Sequence, residues 1–404
     1  MAAISRARAV AFGIMGFALS VGIMEACLRL IEYTPAWRVL PIVERELGWP
    51  DPNVGYALRS NHRIINVREN RARPTTNSFG MRDMQRSLGK SPGTYRVLLT
   101  GDSFTEALQV EDSQTFSQIA ENRLNTTQPK TPVEVFNLGM SGAGPVQQFV
   151  VAKEALQRFS ADALVMLINI NQFRSKEMSD DSINPAYVVH GNGDLKLGYG
   201  FRERASQRYR NTWLGRTFFF LMDHSRIARA AYLRIVQRGH INSPRVGSTR
   251  DPDVLNCAPI TARLNKITTR WLRDGPLSVR RLSTQLFSDV ALLSKGTGVK
   301  TAIVLYGIGE PFLQCKRAMS VRQALVAQLE ESLAPFEIDL WDADFEIAQF
   351  RSGALSDRSL RGFGRQRGVG HLNLTGHEHF AALMVDIVTD LRAPSVVNKG
   401  STID

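Results

Sequence analysis

Residues of catalytic type follow the first three strand-like segments of the chain and precede its last helix-like segment. Ser103 closes a Gly-Asp-Ser turn after the first segment, and Gly142 and Asn171 follow the second and third. His371 lies just before the last helical segment. A serine hydroxyl is a poor nucleophile until a base removes its proton, and histidine is the usual base because imidazole exchanges protons near neutral pH. Covalent catalysis by Ser103, with His371 as base, follows if the fold brings the two together.

The elements that must position these residues alternate between strand and helix from about residue 95 onward. Five apolar runs have strand character: 97–100, 133–136, 163–168, 301–306 and 336–341. Helices are predicted among and after them at 113–125, 145–159, 277–294, 319–332 and 376–392. Runs that are apolar on both faces belong to parallel sheets covered by helices. The predicted fold class is α/β, a doubly wound, mainly parallel five-stranded sheet whose carboxyl edge binds ligands.

The remaining segments flank or interrupt this core. A long helix from Trp213 to about Gln237 is predicted within a break in the alternation. The predicted organisation is an anchor or signal peptide at 1–33, a loop and short-strand extension at 34–92, the first part of the core at 93–173, a basic and largely helical insertion at 174–276, the second part of the core at 277–394, and a tail at 395–404.

The polar segments, in this order, resemble the sequence blocks of the SGNH/GDSL hydrolases. Ser103 matches the nucleophile block, Gly142 the second-block glycine and Asn171 the third-block asparagine. His371, in His-Leu-Asn-Leu-Thr-Gly-His, matches the C-terminal histidine block. The resemblance implies that Ser103 is the nucleophile and His371 the base. It also assigns the oxyanion donors to the backbone N–H groups of Ser103 and Gly142 and to the Asn171 side chain. One such donor is typically worth about 3 kcal/mol of transition-state stabilisation.

Two upstream features resemble membrane-anchored bacterial members of that family. One is the segment Thr-Asn-Ser-Phe-Gly-Met-Arg-Asp at 76–83, and the other is the hydrophobic start that ends near Glu25 and Leu28. The whole resemblance covers about residues 46–172 and 280–392.

The sequence departs from that family at the acid that orients the histidine. The family usually has an aspartate three residues before its histidine, and this chain has Gly368 there. An orienting carboxylate can be worth about 10⁴ in rate. The departure leaves a Ser-His dyad, an acid from elsewhere, or an inactive site. Asp342, Asp344 and Asp357 are the candidate substitutes, and the first two are favoured because they follow the last strand.

The N-terminus combines two arginines, Arg6 and Arg8, with an apolar run over 9–24 that Glu25 interrupts. A membrane span needs about 20 residues, which the run reaches if it continues to Leu28. An uncleaved signal-anchor is favoured, with the arginines on the inner side. A signal peptide cleaved near Ala-Leu-Ser at 18–20 is the second interpretation, and a buried core helix is the third. The first two place the rest outside the cytoplasm: a single span in a bacterial inner membrane with a periplasmic domain, or a secreted domain.

The three cysteines do not have metal-site spacing. Cys257 and Cys315 are predicted to form a disulfide in an oxidising compartment, whereas Cys27 lies in the hydrophobic start. His377 and His379, close to His371, raise the alternative of a metal site, but residues two apart on a helix point in different directions. We predict neither a metal nor a cofactor.

The formal charge of +12 favours anionic partners. Between residues 201 and 250, eleven arginines face two acidic residues, Glu203 and Asp223, and aromatic residues lie among them. Such a stretch is a solvated face, a membrane surface or a glycan-binding wall. Nucleic acid is not expected as a partner of an exported chain.

Taken together, these features predict an exported serine esterase or O-acyltransferase that acts on acyl esters, in particular acetyl esters of an envelope or extracellular glycan. The expected partners are the acylated small-molecule or glycan substrate, the inner membrane through the N-terminal helix and, for a transferase, a membrane acyl-donor protein. The alternative is a non-catalytic binding or assembly protein on a degenerate scaffold of the same family.

Overall fold

The structure is a computed structural model of the chain. The residues described are 2–35, 49–66, 69–173, 183–191, 193–240, 262, 279–307, 316–336, 338–346, 359–363 and 370–393. Cys257 and Cys315, and therefore their predicted disulfide, lie outside these ranges, as do Asp357 and Gly368. Cys27 is described and is an exposed free thiol.

A five-stranded parallel sheet forms the centre of the molecule, in the order β4-β3-β5-β8-β9. Its strands are β3 Tyr95–Gly101, β4 Val133–Gly139, β5 Ala163–Asn169, β8 Lys300–Tyr306 and β9 Asp339–Asp342. The other strands form two antiparallel hairpins: β1 Trp49–Asp51 with β2 Gly55–Ala57, and β6 Ala186–Val189 with β7 Leu195–Gly198. The predicted α/β class, with a doubly wound, mainly parallel five-stranded sheet, is confirmed.

Helices cover both faces of this sheet. The α-helices of the described residues are, in chain order, α1 Ala2–Tyr33, α2 Ser103–Glu106, α3 Phe116–Thr127, α4 Pro145–Arg158, α5 Ala205–Asn211, α6 Trp213–His224, α7 Arg226–His240, α8 Val279–Thr297, α9 Lys316–Leu333 and α10 Leu374–Arg392. Side chains of the strands alternate between two buried layers, as period-two geometry requires. Leu98 and Phe136 pack in the layer of α4 and α8, whereas Val97 and Leu99 pack in the layer of α3 and α10.

The observed helix boundaries lie within about three residues of the predicted ones except in the insertion. The helix predicted from Trp213 to Gln237 is two helices, because the chain breaks at Ser225, whose hydroxyl accepts from the N–H of Ala228 at 3.1 Å and caps α7. The last helix is capped by Asn373, whose side chain accepts from Gly376 N. The insertion also contains the β6–β7 hairpin, so it is not wholly helical.

Buried ion pairs fix the N-terminal extension to the sheet. Arg86 donates to Asp83 at 2.8 Å, to Glu121 on α3 at 2.7 Å and to the carbonyl of Val135 on β4 at 2.9 Å. The side chains of Arg86 and Asp83 are each 4% exposed. Burial raises the pKa of Asp83 to about 6 against the opposing effect of Arg86. One guanidinium therefore joins the extension, a core helix and an outer strand of the sheet.

Replacing Arg86 should destabilise the fold strongly, because it leaves two buried carboxyl groups without their shared cation. We expect Arg86→Met to lower the free energy of unfolding by about 3–5 kcal/mol. Arg123→Met is the matched control, since the Arg123–Glu378 pair is about half exposed and should change stability by less than about 1 kcal/mol. Denaturant unfolding of the detergent-solubilised chain measures both. Equal midpoints for the two variants would contradict this account of the extension.

Candidate active site

Ser103 lies on a sharp turn between β3 and the short helix α2. Asp102, one residue before it, caps this helix by accepting from the N–H of Phe104 at 2.9 Å. The Asp102 carboxyl also accepts from the Gln172 side chain at 2.8 Å and from the hydroxyl of Tyr306. Burial raises the pKa of Asp102, and these donors oppose the rise. A buried, multiply bonded aspartate thus fixes the backbone that presents Ser103, whose side chain is half-buried.

His371 contacts Ser103 in the way that a general base would. Its Nε2 atom lies 2.9 Å from the Ser103 hydroxyl oxygen, although the two residues are 268 positions apart. Asn373, two residues later, caps α10 and donates to the Ser359 carbonyl at 2.7 Å. These bonds hold the segment that carries His371 over the carboxyl end of β3. The structure therefore brings together the serine and histidine singled out from the sequence.

A carboxylate from the N-terminal extension contacts the other side of the His371 ring. Glu69 Oε1 lies 2.6 Å from His371 Nδ1, and Glu69 Oε2 accepts from the His371 backbone N–H at 2.9 Å. Both side chains are about one-quarter exposed (26% and 25%). Gly370 permits this approach, because its φ is +94° and a Cβ there would lie 2.7 Å from Glu69 Oε2. Ser103, His371 and Glu69 form a Ser-His-Glu relay.

The loop around Glu69 is fixed from both sides. Asn66 pairs with Ala72 across the base of the loop through two backbone hydrogen bonds of 3.0 and 3.1 Å. The side chains of Asn66 and Asn70 donate to the carbonyls of Leu108 and Gln109, each at 2.8 Å. Leu108 and Gln109 follow α2, so the same short region of chain supports both the nucleophile and the loop of the acid.

The carboxylates proposed from the sequence as substitute acids have other contacts. Asp342 accepts from Arg322 at 2.8 Å, and Asp344 pairs with the same guanidinium at 3.1 Å. Asp344 also accepts from the N–H of Gly307 at 3.0 Å and so holds the turn after β8. The structure thus places Glu69, rather than Asp342 or Asp344, on His371. Asp357, the third candidate, lies outside the described residues.

Glu69 was missed because no motif or periodicity marks it. One signal was available: Glu69 is the single acidic residue between Pro52 and Arg82, in a stretch that holds five arginines and one histidine. A lone carboxylate in so basic a segment is a candidate for a specific ion pair, yet nothing in the sequence names its partner.

The loop that carries Gly142 is fixed beside the Ser103 turn. Met140 N donates to Gly101 O at 3.0 Å, and Ser141 N donates to the Glu106 carboxyl at 3.1 Å. The hydroxyl of Ser141 bonds the same carboxyl. Gly142 has a φ of +78° and open space where a Cβ would be. Among the described residues, no hydrogen-bond acceptor takes the N–H of Gly142 or of Ser103. Two backbone donors are thus available at this edge.

Asn171 lies at the same edge with its side chain engaged inside the protein. Its amide nitrogen donates to Asn169 Oδ1 at 3.0 Å and to the Gly307 carbonyl at 2.6 Å. The oxyanion role predicted for Asn171 therefore requires that a substrate replace one of these acceptors.

His377 has a structural environment. It is 1% exposed in the first turn of α10, and its Nδ1 accepts from the N–H of Phe116 at 3.3 Å. Burial lowers the pKa of His377 to about 3, so the ring is neutral at physiological pH. Within the described part of the chain, no cluster of three metal-ligating side chains is found.

Comparison with known proteins gives distant likenesses. No protein-family model and no curated protein sequence matches the chain. The psychrotrophic esterase EstA from a Pseudoalteromonas species is similar at 10% identity and a TM-score of 0.33, over 73% of this chain and 97% of that one. A catalytic mutant of an acetylxylan esterase from Geobacillus stearothermophilus is similar at 12% identity and a TM-score of 0.36, over 76% and 98%. TesA is similar at 12% identity and a TM-score of 0.36, over 73% of this chain and 99% of that one.

Glu69→Gln should slow the Ser103 reaction, because the amide keeps the shape of the side chain but loses the charge that stabilises the imidazolium. We expect kcat on a small acyl ester to fall by about 10²–10⁴-fold. Steady-state kinetics on p-nitrophenyl acetate measures the change. Asp342→Asn is the matched control, since Asp342 pairs with Arg322. It should lower stability but leave the rate per folded molecule near that of the wild type, and a larger loss would assign the acid role to Asp342 instead.

Glu106 predicts a pH dependence of stability. It is 1% exposed, and burial raises its pKa from 4.5 to about 7 against the opposing effect of Ser141. Folding raises the pKa of this acid, so it stabilises the folded protein. That stabilisation is fully present below about pH 4.5 and is lost as the pH rises through about 7. Between these limits we expect the wild type to lose about 3 kcal/mol relative to Glu106→Gln. Urea midpoints at several pH values test this, with the exposed Glu330→Gln as control. A constant difference between wild type and Glu106→Gln across the range would refute it.

Proposed function

We propose that this chain is a serine esterase or O-acyltransferase of the SGNH/GDSL type. The observation that carries the proposal is the relay from Glu69 through His371 to the Ser103 hydroxyl, with contacts of 2.6 and 2.9 Å. Nucleophile, base and orienting acid in this order are the arrangement that activates a serine for attack on a carbonyl. The match of the sequence blocks to that family agrees with the geometry.

The geometry supports a two-step acyl transfer. Ser103 Oγ attacks the ester carbonyl while His371 Nε2 takes its proton, and the Glu69 carboxylate stabilises the imidazolium. The backbone N–H groups of Ser103 and Gly142 receive the oxyanion, joined by Asn171 if its side chain turns to the substrate. Collapse of the intermediate expels the alcohol, which takes the proton from His371, and leaves the acyl group on Ser103. Water as the second acceptor gives an esterase, and a sugar hydroxyl gives a transferase.

The proposed substrate is an acylated small molecule or glycan, in particular an acetyl ester of the bacterial envelope. Helix α1 contains a 26-residue segment, Arg6–Ile31, that is long and apolar enough to span a membrane or to act as a signal sequence. We place it as a single span in the inner membrane, with the domain in the periplasm. A transferase would take its acyl group from a membrane donor protein.

The rival function is a non-catalytic binding or assembly role on the same scaffold. The absence of an aspartate at position 368 was the feature in its favour. The carboxylate of Glu69 on His371 removes that argument, since it supplies the same group from another part of the chain.

A fluorophosphonate probe distinguishes the two functions, because only an activated serine reacts with it. We expect the wild type to label and Ser103→Ala to lose both labelling and hydrolysis of short acyl esters. Ser78→Ala is the matched control, since Ser78 is exposed and should label as the wild type does. Gel fluorescence and tandem mass spectrometry locate the adduct. An unlabelled wild type, or a Ser103→Ala variant with full activity, would end the serine-hydrolase proposal.

A further inference from the structure

The membrane-type helix α1 is joined to the helix pair α6–α7 by a charged contact. The Glu25 carboxylate accepts from the backbone N–H groups of Arg226 and Ile227 at 2.9 and 3.2 Å, and from the Ser225 hydroxyl at 3.1 Å. Arg29, one turn later on α1, bonds both Glu25 and the carbonyl of His224. Glu25 thus satisfies N–H groups that the start of α7 leaves without intrahelical partners. The junction between α6 and α7 is held against the domain-side end of α1.

Before that junction, α1 is exposed along its apolar length. Phe12, Ile14 and Phe17 are 67%, 65% and 73% exposed. Glu25, Leu28 and Ile31 are the half-buried positions on this helix among those whose burial is described. The contact with α7 therefore lies where the apolar segment ends.

Helix α6 exposes a second apolar surface next to this contact. Its inward side, formed by Gly215, Phe219, Met222 and Asp223, is buried. Its outward side carries Trp213, Leu214, Phe220 and Leu221, which are 73%, 51%, 56% and 46% exposed. Positions seven apart lie on the same side of a helix, so these four form two adjacent rows opposite the buried side. A contiguous apolar face of this kind is typical of a surface that contacts another phase or protein.

The charge around that face fits an anionic surface. Between residues 205 and 240 there are seven arginines and one acidic residue, Asp223. Asp223 is itself paired with Arg59 at 3.1 Å in the protein interior. Arg216 on α6 and Arg234 on α7 are exposed. Helices that lie in the headgroup layer of a bilayer typically carry arginines beside a face that contains tryptophan and phenylalanine.

We propose that the outward face of α6 lies in the headgroup region of the same anionic bilayer that α1 crosses. The inference rests on the proposed insertion of α1. The surfaces are continuous, because Glu25 fixes the C-terminal end of α6 to the end of the apolar segment of α1. A single span would let the domain rotate about its axis, whereas a second contact through α6 fixes one side of the domain to the membrane.

The test uses the full chain reconstituted in vesicles of phosphatidylcholine and phosphatidylglycerol, with bromine on the acyl chains of part of the phosphatidylcholine. Bromine quenches tryptophan emission at short range. We expect the quenched fraction of the total emission to fall in Trp213→Phe. It should rise above the wild-type value in Trp341→Phe, the matched control, because Trp341 lies on β9 in the domain and its loss removes emission that bromine does not quench. Vesicles without phosphatidylglycerol should give weaker quenching.

Equal quenching in the wild type and Trp213→Phe would overturn the proposal, and would be the result if a second copy of the chain or another protein covered this face. Quenching that does not depend on phosphatidylglycerol would overturn the claim that α6 prefers an anionic bilayer. A chain that washes off the vesicles at alkaline pH would refute the insertion of α1 and with it the placement of α6. None of these readings depends on whether Ser103 reacts with a fluorophosphonate, so failure of this proposal and failure of the esterase proposal are distinguishable.

Discussion

The contact between Glu69 and His371 is the interaction on which the site depends. Without it the imidazole would lose the carboxylate that contacts its Nδ1 atom and would be held by the contact with Ser103 on the other side. The contact joins residues that are 302 positions apart, so it exists only if the N-terminal extension is docked on the core. The hydrogen bonds of Asn66 and Asn70 and the ion pairs of Arg86 supply that docking. The extension is therefore part of the candidate site and not only a connection between α1 and the sheet.

A carboxylate that comes from the extension limits which residues can lie around it. The segment that carries His371 needs Gly370, since any Cβ there would meet Glu69. The loop after α2 must both follow the nucleophile and offer carbonyls to the asparagines beside Glu69. Asp342 and Asp344 have a different role. Both pair with the buried Arg322, and Asp344 also accepts from the N–H of Gly307 in the turn after β8.

The strands, the core helices, Ser103 and His371 could be predicted because each has a local signal. Strands have apolar runs of the right length, and Ser103 and His371 stand in short motifs next to predicted elements. Glu69 has neither, because its role is defined by a partner at the other end of the chain. The break at Ser225 was missed for a different reason, since the stretch around it is helical by composition. Glu25, which in the sequence only interrupts an apolar run, owes its contacts at the start of α7 to tertiary packing.

Three carboxyl groups lie near His371, and they differ in burial. Asp102 and Glu106 are buried, and loss of solvent raises the pKa of each, an effect that the electrostatic interaction with His371 only partly opposes. Glu69 is about one-quarter exposed, so water shares the cost of its charge. Glu69 is therefore the carboxyl group whose charge costs least beside the imidazole, and it lies on the side of the ring away from Ser103. The two buried carboxyl groups instead accept hydrogen bonds that hold the Ser103 turn and the Gly142 loop.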